Sequence, residues 1–219
     1  MNLTLTYYLD VISSWCHWAE PAWAELQARF RDRVRFRWKI ALLDATGMPV
    51  SASQEDWFYR RSGTINRAPY MLNSGWFEPG WAEYLAPNAI AEAARDLGVA
   101  DDRVRLAVAR AGLIAGQRIG RWEVALEAAL AAAPLDRADL ETRARSPEIE
   151  ARLRASTAEF HALQVTQRPT FLLEDAIGDR AVFSGLVNPD PIAATIQAMT
   201  EDLAAYASWT AHFGPPPTS

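Results

Sequence analysis

The chain has 219 residues, half of them hydrophobic, a formal net charge of −5 and one cysteine. This length allows one substantial core, and the acidic balance gives no general attraction to phosphate backbones, so nucleic acid is not expected as a partner. A single cysteine cannot form an intramolecular disulfide, which excludes dithiol oxidation by the protein alone. We expect a cytoplasmic protein without a membrane partner, because no signal-like or membrane-spanning apolar run is present.

The first 43 residues predict a β-α-β unit. Leu3–Leu9 is rich in strand-forming residues, and Val34–Ile40 alternates apolar and basic side chains, so both segments are predicted strands. Between them, apolar residues recur at helical spacing over residues 15–30. A strand, a helix and a strand in this order favour a parallel pair with a right-handed crossover.

Residues 44–164 are predicted to form an insertion with two parts. Residues 44–86 combine Gly and Pro with many aromatics, which indicates a long irregular connection with one short helix at 54–61. Residues 88–164 show helical periodicity throughout.

The aromatic stretch at residues 57–84 has two readings, which stay open. It forms a lid over a hydrophobic substrate pocket, or it packs the insertion onto the sheet. Arg60, Arg61 and Arg67 in this region are candidates to receive a ligand carboxylate, although a solvated surface is the ordinary role of each.

The strand pattern returns near residue 165. Residues 170–174 and 181–184 predict a hairpin, and a last helix is predicted from residue 191 to about 207. The fold class is therefore α/β, a small mixed sheet flanked by helices with a large helical insertion. We assign residues 1–43 and 165–210 to the sheet domain, 44–164 to the insertion and 211–219 to a flexible tail.

The turn Ser13-Ser14-Trp15-Cys16 is the strongest functional signal. It joins a predicted strand to a predicted helix, and a helix N-terminus stabilises a thiolate placed there. Ser13 is either a functional hydroxyl or only a helix N-cap. Cys16 is either reactive or a small buried hydrophobe.

Two titratable residues flank this turn. His17 either tunes the pKa of the neighbouring cysteine and acts as a general base, or is a half-exposed helix residue. Asp10 either takes a proton or makes a structural hydrogen bond to the turn. His161 and His212 lack a second ligand type at metal spacing, so no metal site is predicted.

Two motifs resemble the DsbA-like branch of the thioredoxin superfamily. Residues 10–16, Asp-Val-Ile-Ser-Ser-Trp-Cys, are similar to the Asp-Val-x-Cys-Pro-Trp-Cys turn of FrnE-type DsbA relatives. Residues 165–171, Val-Thr-Gln-Arg-Pro-Thr-Phe, resemble the Val-x-x-x-Pro-Thr-Phe segment that holds their cis-proline. The helical block between them is similar to that family's inserted domain. The resemblance spans nearly the whole chain and implies a thioredoxin-like fold.

The chain departs from this pattern at two positions. Ser13 replaces the family's nucleophilic cysteine, and Ser14 replaces the proline. A serine at the first position resembles kappa-class glutathione transferases and 2-hydroxychromene-2-carboxylate isomerases, in which a serine hydroxyl faces the sulfur of bound glutathione. The resemblance implies a glutathione cofactor whose thiolate Ser13 stabilises, since a hydroxyl at a helix N-terminus favours thiolate over thiol. Kappa-class relatives are dimers, so a homodimer is expected.

The same resemblance implies further glutathione contacts. The main chain of Arg168 would pair with the tripeptide backbone as an added strand does, and Pro169 would be cis. Ser14 belongs to the same predicted site. Glutathione-using relatives tend to have a polar, often Asp-containing turn after the hairpin, where this chain has Ser184 and Gly185.

Three functions follow as hypotheses. The leading one is a glutathione-dependent transferase or isomerase acting on a small hydrophobic electrophile, with Ser13, Cys16 and His17 as candidate catalytic residues. The second is a thiol-disulfide oxidoreductase of DsbA type that uses Cys16 as a monothiol. The third is a non-catalytic ligand-binding module on a degenerate redox scaffold.

Overall fold

The β-α-β opening and the hairpin share one sheet in the computed structural model, which describes residues 3–214. Within these residues the strands lie in the order β2-β1-β3-β4. β1 is parallel to β2, and β3 is antiparallel to both β1 and β4. The predicted α/β class is confirmed. The strands are β1 Leu3–Leu9, β2 Val34–Ile40, β3 Thr170–Asp175 and β4 Arg180–Ser184.

Helices connect and cover the sheet. The helix α1 spans Ser14–Phe30 and forms the crossover between β1 and β2, as predicted. A 3-10 turn lies at Ser74–Trp76. The other helices are α2 Ala52–Ile65, α3 Leu85–Asp96, α4 Arg103–Leu113, α5 Trp122–Ala132, α6 Arg137–Ala144, α7 Pro147–Ala162 and α8 Asp190–Phe213.

The region 44–86 contains more helix than the sequence predicts. A short helix is expected at 54–61, whereas α2 has 14 residues and begins after Ser51, whose hydroxyl caps it. Apolar periodicity does not mark this helix, because polar residues occupy much of its buried face. The buried positions are Glu55, Tyr59, Ser62 and Gly63.

The last helix is longer than predicted. It continues past residue 207 to Phe213, so the first residues of the segment 211–219 are helical rather than a flexible tail. Alanines favour helix in this stretch, and Gly214, with a φ of 78°, ends it. The rest of the predicted tail, residues 215–219, lies outside the described residues.

The central strand β1 is buried on both faces. On one face Tyr7 stacks on Phe171 with ring centroids 4.7 Å apart, and its centroid lies 5.2 Å from that of Trp23 in α1. On the other face Tyr8 packs with Phe160 of α7 and with Leu172 of β3. This packing fixes the end of β1 that leads into the turn at residues 10–13.

The hydrophobic core crosses the predicted domain boundaries. One cluster of buried residues runs from β1 and α1 through α3, α4 and α5. The sheet and the helical block therefore share a core, and the division at residues 43 and 165 stays a prediction. Among residues 3–214, no helix has the length and apolarity needed to cross a bilayer.

Replacing Phe171 with alanine tests the core. We expect Phe171→Ala to lower the free energy of unfolding by about 3–5 kcal/mol, because it removes a fully buried ring that stacks on Tyr7. Val50→Ala is the control, since Val50 is 81% exposed and its replacement should change stability by less than about 0.5 kcal/mol. Urea unfolding measures both, and equal losses would contradict the assignment of the core.

Candidate active site

The turn after β1 places Ser13 at the N-cap of α1. Its Oγ accepts a hydrogen bond from the Cys16 N–H at 3.3 Å, which is the N-cap interaction. The Ser13 N–H donates to the Asp10 carbonyl at 3.0 Å. Because Oγ only accepts in the cap, its hydroxyl proton can be donated to the Cys16 sulfur, whose pKa it lowers, or to another acceptor. The cap and the functional hydroxyl are therefore compatible roles.

A buried carboxyl group holds this turn. The Asp10 side chain accepts hydrogen bonds from the N–H groups of Ile12 at 3.0 Å and Leu43 at 2.8 Å, and from the Asn88 amide at 3.1 Å. The Asn88 carbonyl oxygen in turn accepts from the Val11 N–H at 3.0 Å. Burial raises the pKa of Asp10, and the hydrogen bonds oppose that rise. The geometry agrees with the structural reading of Asp10.

The thiol of Cys16 lies in the core beneath the turn. Its side chain is 2% exposed and belongs to the main hydrophobic cluster. Burial raises the pKa of the thiol to about 12, while the hydrogen bond with Ser13 lowers it by a smaller amount. A thiol with this pKa holds only about one part in ten thousand of thiolate near pH 8. Cys16 therefore has the properties of a packing residue.

A cavity of about 370 Å³ opens beside Ser13. Its walls come from the active turn, the loop after β2, one side of α2, and the segment before β3. It brings together Ser13, Ser14 and Arg168 from the predicted set. The other residues that line it are Ile12, Trp15, Leu43, Asp44, Thr46, Gly47, Met48, Pro49, Glu55, Phe58, Arg61, Trp76, His161, Thr166 and Gln167.

The Arg168–Pro169 peptide bond is cis, as the second motif predicts. The Arg168 side chain is held firmly, since its guanidinium donates to the carbonyls of Ala41 at 2.5 Å and Leu42 at 2.6 Å and lies 4.5 Å from the Phe160 ring centre. Its main-chain N–H and C=O have no hydrogen-bond partner among residues 3–214. Both are therefore available to a ligand in the cavity.

Three other predicted contacts do not line this cavity. Pro169 is buried, and its carbonyl accepts from the Gly185 N–H at 2.7 Å. The Ser184 hydroxyl lies 3.5 Å from the Gln167 carbonyl and 3.3 Å from the Thr170 hydroxyl. These residues contact the segment before β3 on the side that does not line the cavity. Their contact with glutathione stays a prediction.

His17 faces a different cavity, of about 570 Å³. Its Nε2 lies 2.8 Å from the Tyr70 hydroxyl, and burial lowers the pKa of its imidazole to about 4. Consecutive helix residues point about 100° apart, so a residue next to Cys16 in sequence does not share its surroundings. The structure thus separates the three predicted catalytic residues. Ser13 lines one cavity, His17 lines a second cavity, and Cys16 is buried in the core.

Some aromatic residues of the stretch 57–84 pack the core, and others line the cavity or are exposed. Tyr59, Trp76 and Tyr84 are fully buried and pack the core, and Trp76 also lines the cavity beside Ser13 together with Phe58. Trp57 is exposed, and the Arg61 guanidinium lies 5.1 Å from its ring centre.

Among the candidate arginines, only Arg61 lines the cavity beside Ser13. Arg60 and Arg67 are exposed and do not line it. Within residues 3–214, no three His, Cys, Asp or Glu side chains are grouped to bind a metal.

Glu55 is the residue that sequence reasoning missed. It is 7% exposed and lines the same cavity as Ser13. Burial raises the pKa of its carboxyl group to about 7. The only sequence signal was its position four residues before Tyr59 on a helix, which does not distinguish an inward from an outward carboxylate.

The chain belongs to the DsbA-like thioredoxin family. The family model described as a DSBA-like thioredoxin domain matches residues 4–197. This confirms the predicted resemblance and the thioredoxin-like, DsbA-like fold.

Solved structures give the same fold at low sequence identity. The cytosolic disulfide reductase DsbM from Pseudomonas aeruginosa is 20% identical with a TM-score of 0.73, over 90% of this chain and 98% of that one. A structure of DsbM with GSH has a TM-score of 0.71 at 20% identity, over 90% and 99%. A putative protein disulfide isomerase from Nitrosomonas europaea is 14% identical with a TM-score of 0.69, over 98% and 100%. No curated protein matches the chain.

Replacing Asp10 with asparagine tests the support of the turn. The Ile12 and Leu43 N–H groups donate to different carboxylate oxygens, and in asparagine one of these oxygens becomes an N–H₂ group that only donates, so a buried donor loses its partner. We expect Asp10→Asn to lower the free energy of unfolding by about 1–3 kcal/mol in urea unfolding. Asp32→Asn, at an exposed position, should change it by less than about 0.5 kcal/mol. An equal, small effect of both variants would refute the role of Asp10.

Thiol labelling tests the burial of Cys16. With the pKa at about 12, its reaction with Ellman's reagent in the native protein near pH 8 should be on the order of a thousand times slower than in the urea-unfolded protein. Comparable rates in the two states would show that Cys16 is an accessible thiol and would restore its reactive reading.

Proposed function

We propose that this protein binds glutathione in the cavity beside Ser13 and uses its thiolate on a small hydrophobic electrophile, as a transferase or an isomerase. The observation that carries the proposal is the arrangement of Ser13 and Cys16. The hydroxyl lines the cavity at a helix N-terminus, whereas the chain's one thiol is buried with a raised pKa. Sulfur chemistry at this site therefore requires a thiol from outside the polypeptide.

The groups around the cavity suit a small peptide thiol. The unpaired N–H and C=O of Arg168 offer the pairing that an extended tripeptide backbone needs. Ser13 and the first N–H groups of α1 favour a thiolate. The cavity of about 370 Å³ is within the usual range for small-molecule sites. The existence of a DsbM structure with GSH gives the fold a precedent for this ligand.

Part of the cavity wall is apolar, which supports a hydrophobic second substrate. Met48, Phe58 and Trp76 line the cavity, so a small hydrophobic electrophile fits beside the sulfur. Arg61 at the same cavity is the candidate to bind a carboxylate of glutathione or of the substrate.

A disulfide oxidoreductase is the second candidate, because neighbouring structures are described as a cytosolic disulfide reductase and a probable DsbA oxidoreductase. The buried state of Cys16 weighs against it. A binding module without turnover is the third candidate. The cytoplasmic location and the homodimer stay part of the proposal; the exposed Tyr206, Trp209 and Phe213 on α8 offer an apolar face for self-association.

Calorimetric titration with glutathione separates these functions. We expect binding by the wild-type protein, and Ser13→Ala should weaken it about tenfold or more, because a hydrogen bond to a charged sulfur is lost. Cys16→Ala should leave the affinity within about twofold, since Cys16 lies beneath the turn. Spectroscopic assays with aromatic electrophiles then test turnover.

The opposite pattern would identify the oxidoreductase: Cys16→Ala abolishes activity on disulfides while Ser13→Ala has no effect. Glutathione binding without turnover of any electrophile favours the binding module. No detectable binding at millimolar glutathione refutes the leading function.

A further inference from the structure

Glu55 is a buried carboxyl group on the wall of the proposed glutathione cavity. It lies in the first turn of α2, is 7% exposed, and faces the cavity that Ser13 lines from the opposite element. It forms no ion pair with any residue between 3 and 214. A buried carboxylate without a cation is costly, so its presence there calls for a functional explanation.

The Tyr59 hydroxyl acts on this carboxyl group. The Trp76 indole N–H donates to the Tyr59 hydroxyl at 2.6 Å, and the Tyr59 hydroxyl lowers the pKa of the Glu55 carboxyl group. Since the Tyr59 oxygen accepts from Trp76, its own proton is free to be donated to the carboxylate. The other titratable or charged groups around Glu55 and its cavity are Asp56, Arg61, Tyr84, Asp44, His161 and Arg168.

The protonation state of Glu55 changes near neutral pH. Burial raises the pKa of its carboxyl group to about 7, and the neighbouring Asp56 adds to the rise, while the hydrogen bond with Tyr59 opposes it. A group with this pKa is present both as acid and as base under physiological conditions, which is the condition for efficient proton transfer.

We infer that Glu55 accepts the proton of the thiol that binds beside Ser13. This inference rests on the proposed glutathione function. On binding, the S–H bond breaks, the electron pair stays on sulfur, and the proton forms an O–H bond on the Glu55 carboxylate. The thiol and the Glu55 carboxyl group together carry a charge of −1 before and after the step, so the proton transfer adds no charge to the cavity. The Ser13 hydroxyl stabilises the thiolate that forms.

The proton that Glu55 takes from the thiol favours one class of substrate, an electrophile that must be protonated after the sulfur adds. When the thiolate adds to an α,β-unsaturated carbonyl compound, a C–S bond forms and the electron pair moves to the carbonyl oxygen as an enolate. Glu55 then returns its proton to the enolate, and its carboxylate is restored. Met48, Phe58 and Trp76 in the cavity wall suit the apolar part of such a compound.

Proton counting by calorimetry tests the transfer. Glutathione is titrated near pH 8 in two buffers of different ionisation enthalpy, which gives the protons released to the buffer per glutathione bound. We expect about zero for the wild-type protein, because Glu55 takes the thiol proton. Glu55→Gln should release about one proton. Asp56→Asn, which removes the same charge one residue along α2, should behave as the wild type.

Two further readouts do not depend on the binding heat. The rate of glutathione addition to 4-phenylbut-3-en-2-one should fall on the order of a hundredfold in Glu55→Gln, with loss of the wild-type inflection near pH 7. If Glu55→Gln does not fold, the infrared spectrum of the wild type decides, because the band of a protonated carboxylic acid must grow when glutathione binds.

Each result has a definite consequence. Equal proton release by wild type and Glu55→Gln, or no growth of the carboxylic acid band, overturns the role of Glu55 and leaves the glutathione site standing. Absence of binding heat with the wild type and every variant overturns the glutathione function, and this inference falls with it.

Discussion

The buried carboxyl group of Asp10 is the constraint on which the site depends. Three donors from three parts of the chain meet on it: the turn itself, the loop after β2, and Asn88 of α3. Because a buried acceptor without its donors costs about 1–3 kcal/mol, the turn, the loop and the helix are fixed relative to one another. The first wall of the cavity is the turn, and the loop after β2 is the second. Asp10 therefore shapes the cavity without lining it.

Ser13 and Cys16 are three residues apart at the start of α1, yet their side chains lie in different surroundings. Ser13 is outside the first turn of α1, where its side chain meets both the free N–H groups and the cavity. Cys16, three residues later, points into the core, where low polarity keeps it protonated. The N-terminus of α1 would therefore stabilise a thiolate in the cavity more than it stabilises the thiolate of Cys16. The chain keeps the DsbA-like thioredoxin fold and has a serine at the N-cap of α1.

Sequence reasoning predicted the parts of the fold that repeat or follow a motif. The β-α-β unit, the hairpin and the cis peptide before Pro169 carry periodicity or a recognisable segment, and all are confirmed. The wall formed by α2 could not be predicted, because tertiary packing rather than local pattern turns Glu55 inward. His17 was grouped with Cys16 by adjacency in sequence, but neighbouring helix residues diverge by about 100°, which places them in different surroundings.

The cavity imposes an electrostatic limit on any anionic sulfur. A thiolate bound beside Ser13 would share a space of about 370 Å³ with Glu55, and like charges so close together raise one another's pKa. The nearby guanidinium of Arg168 is already engaged by the Ala41 and Leu42 carbonyls, so it does not offer a free ion pair. Arg61 is exposed, and its guanidinium lies 5.1 Å from the ring centre of Trp57. Solvent there weakens its attraction for an anion in the cavity. A proton on Glu55, whose carboxyl pKa burial raises to about 7, removes this repulsion.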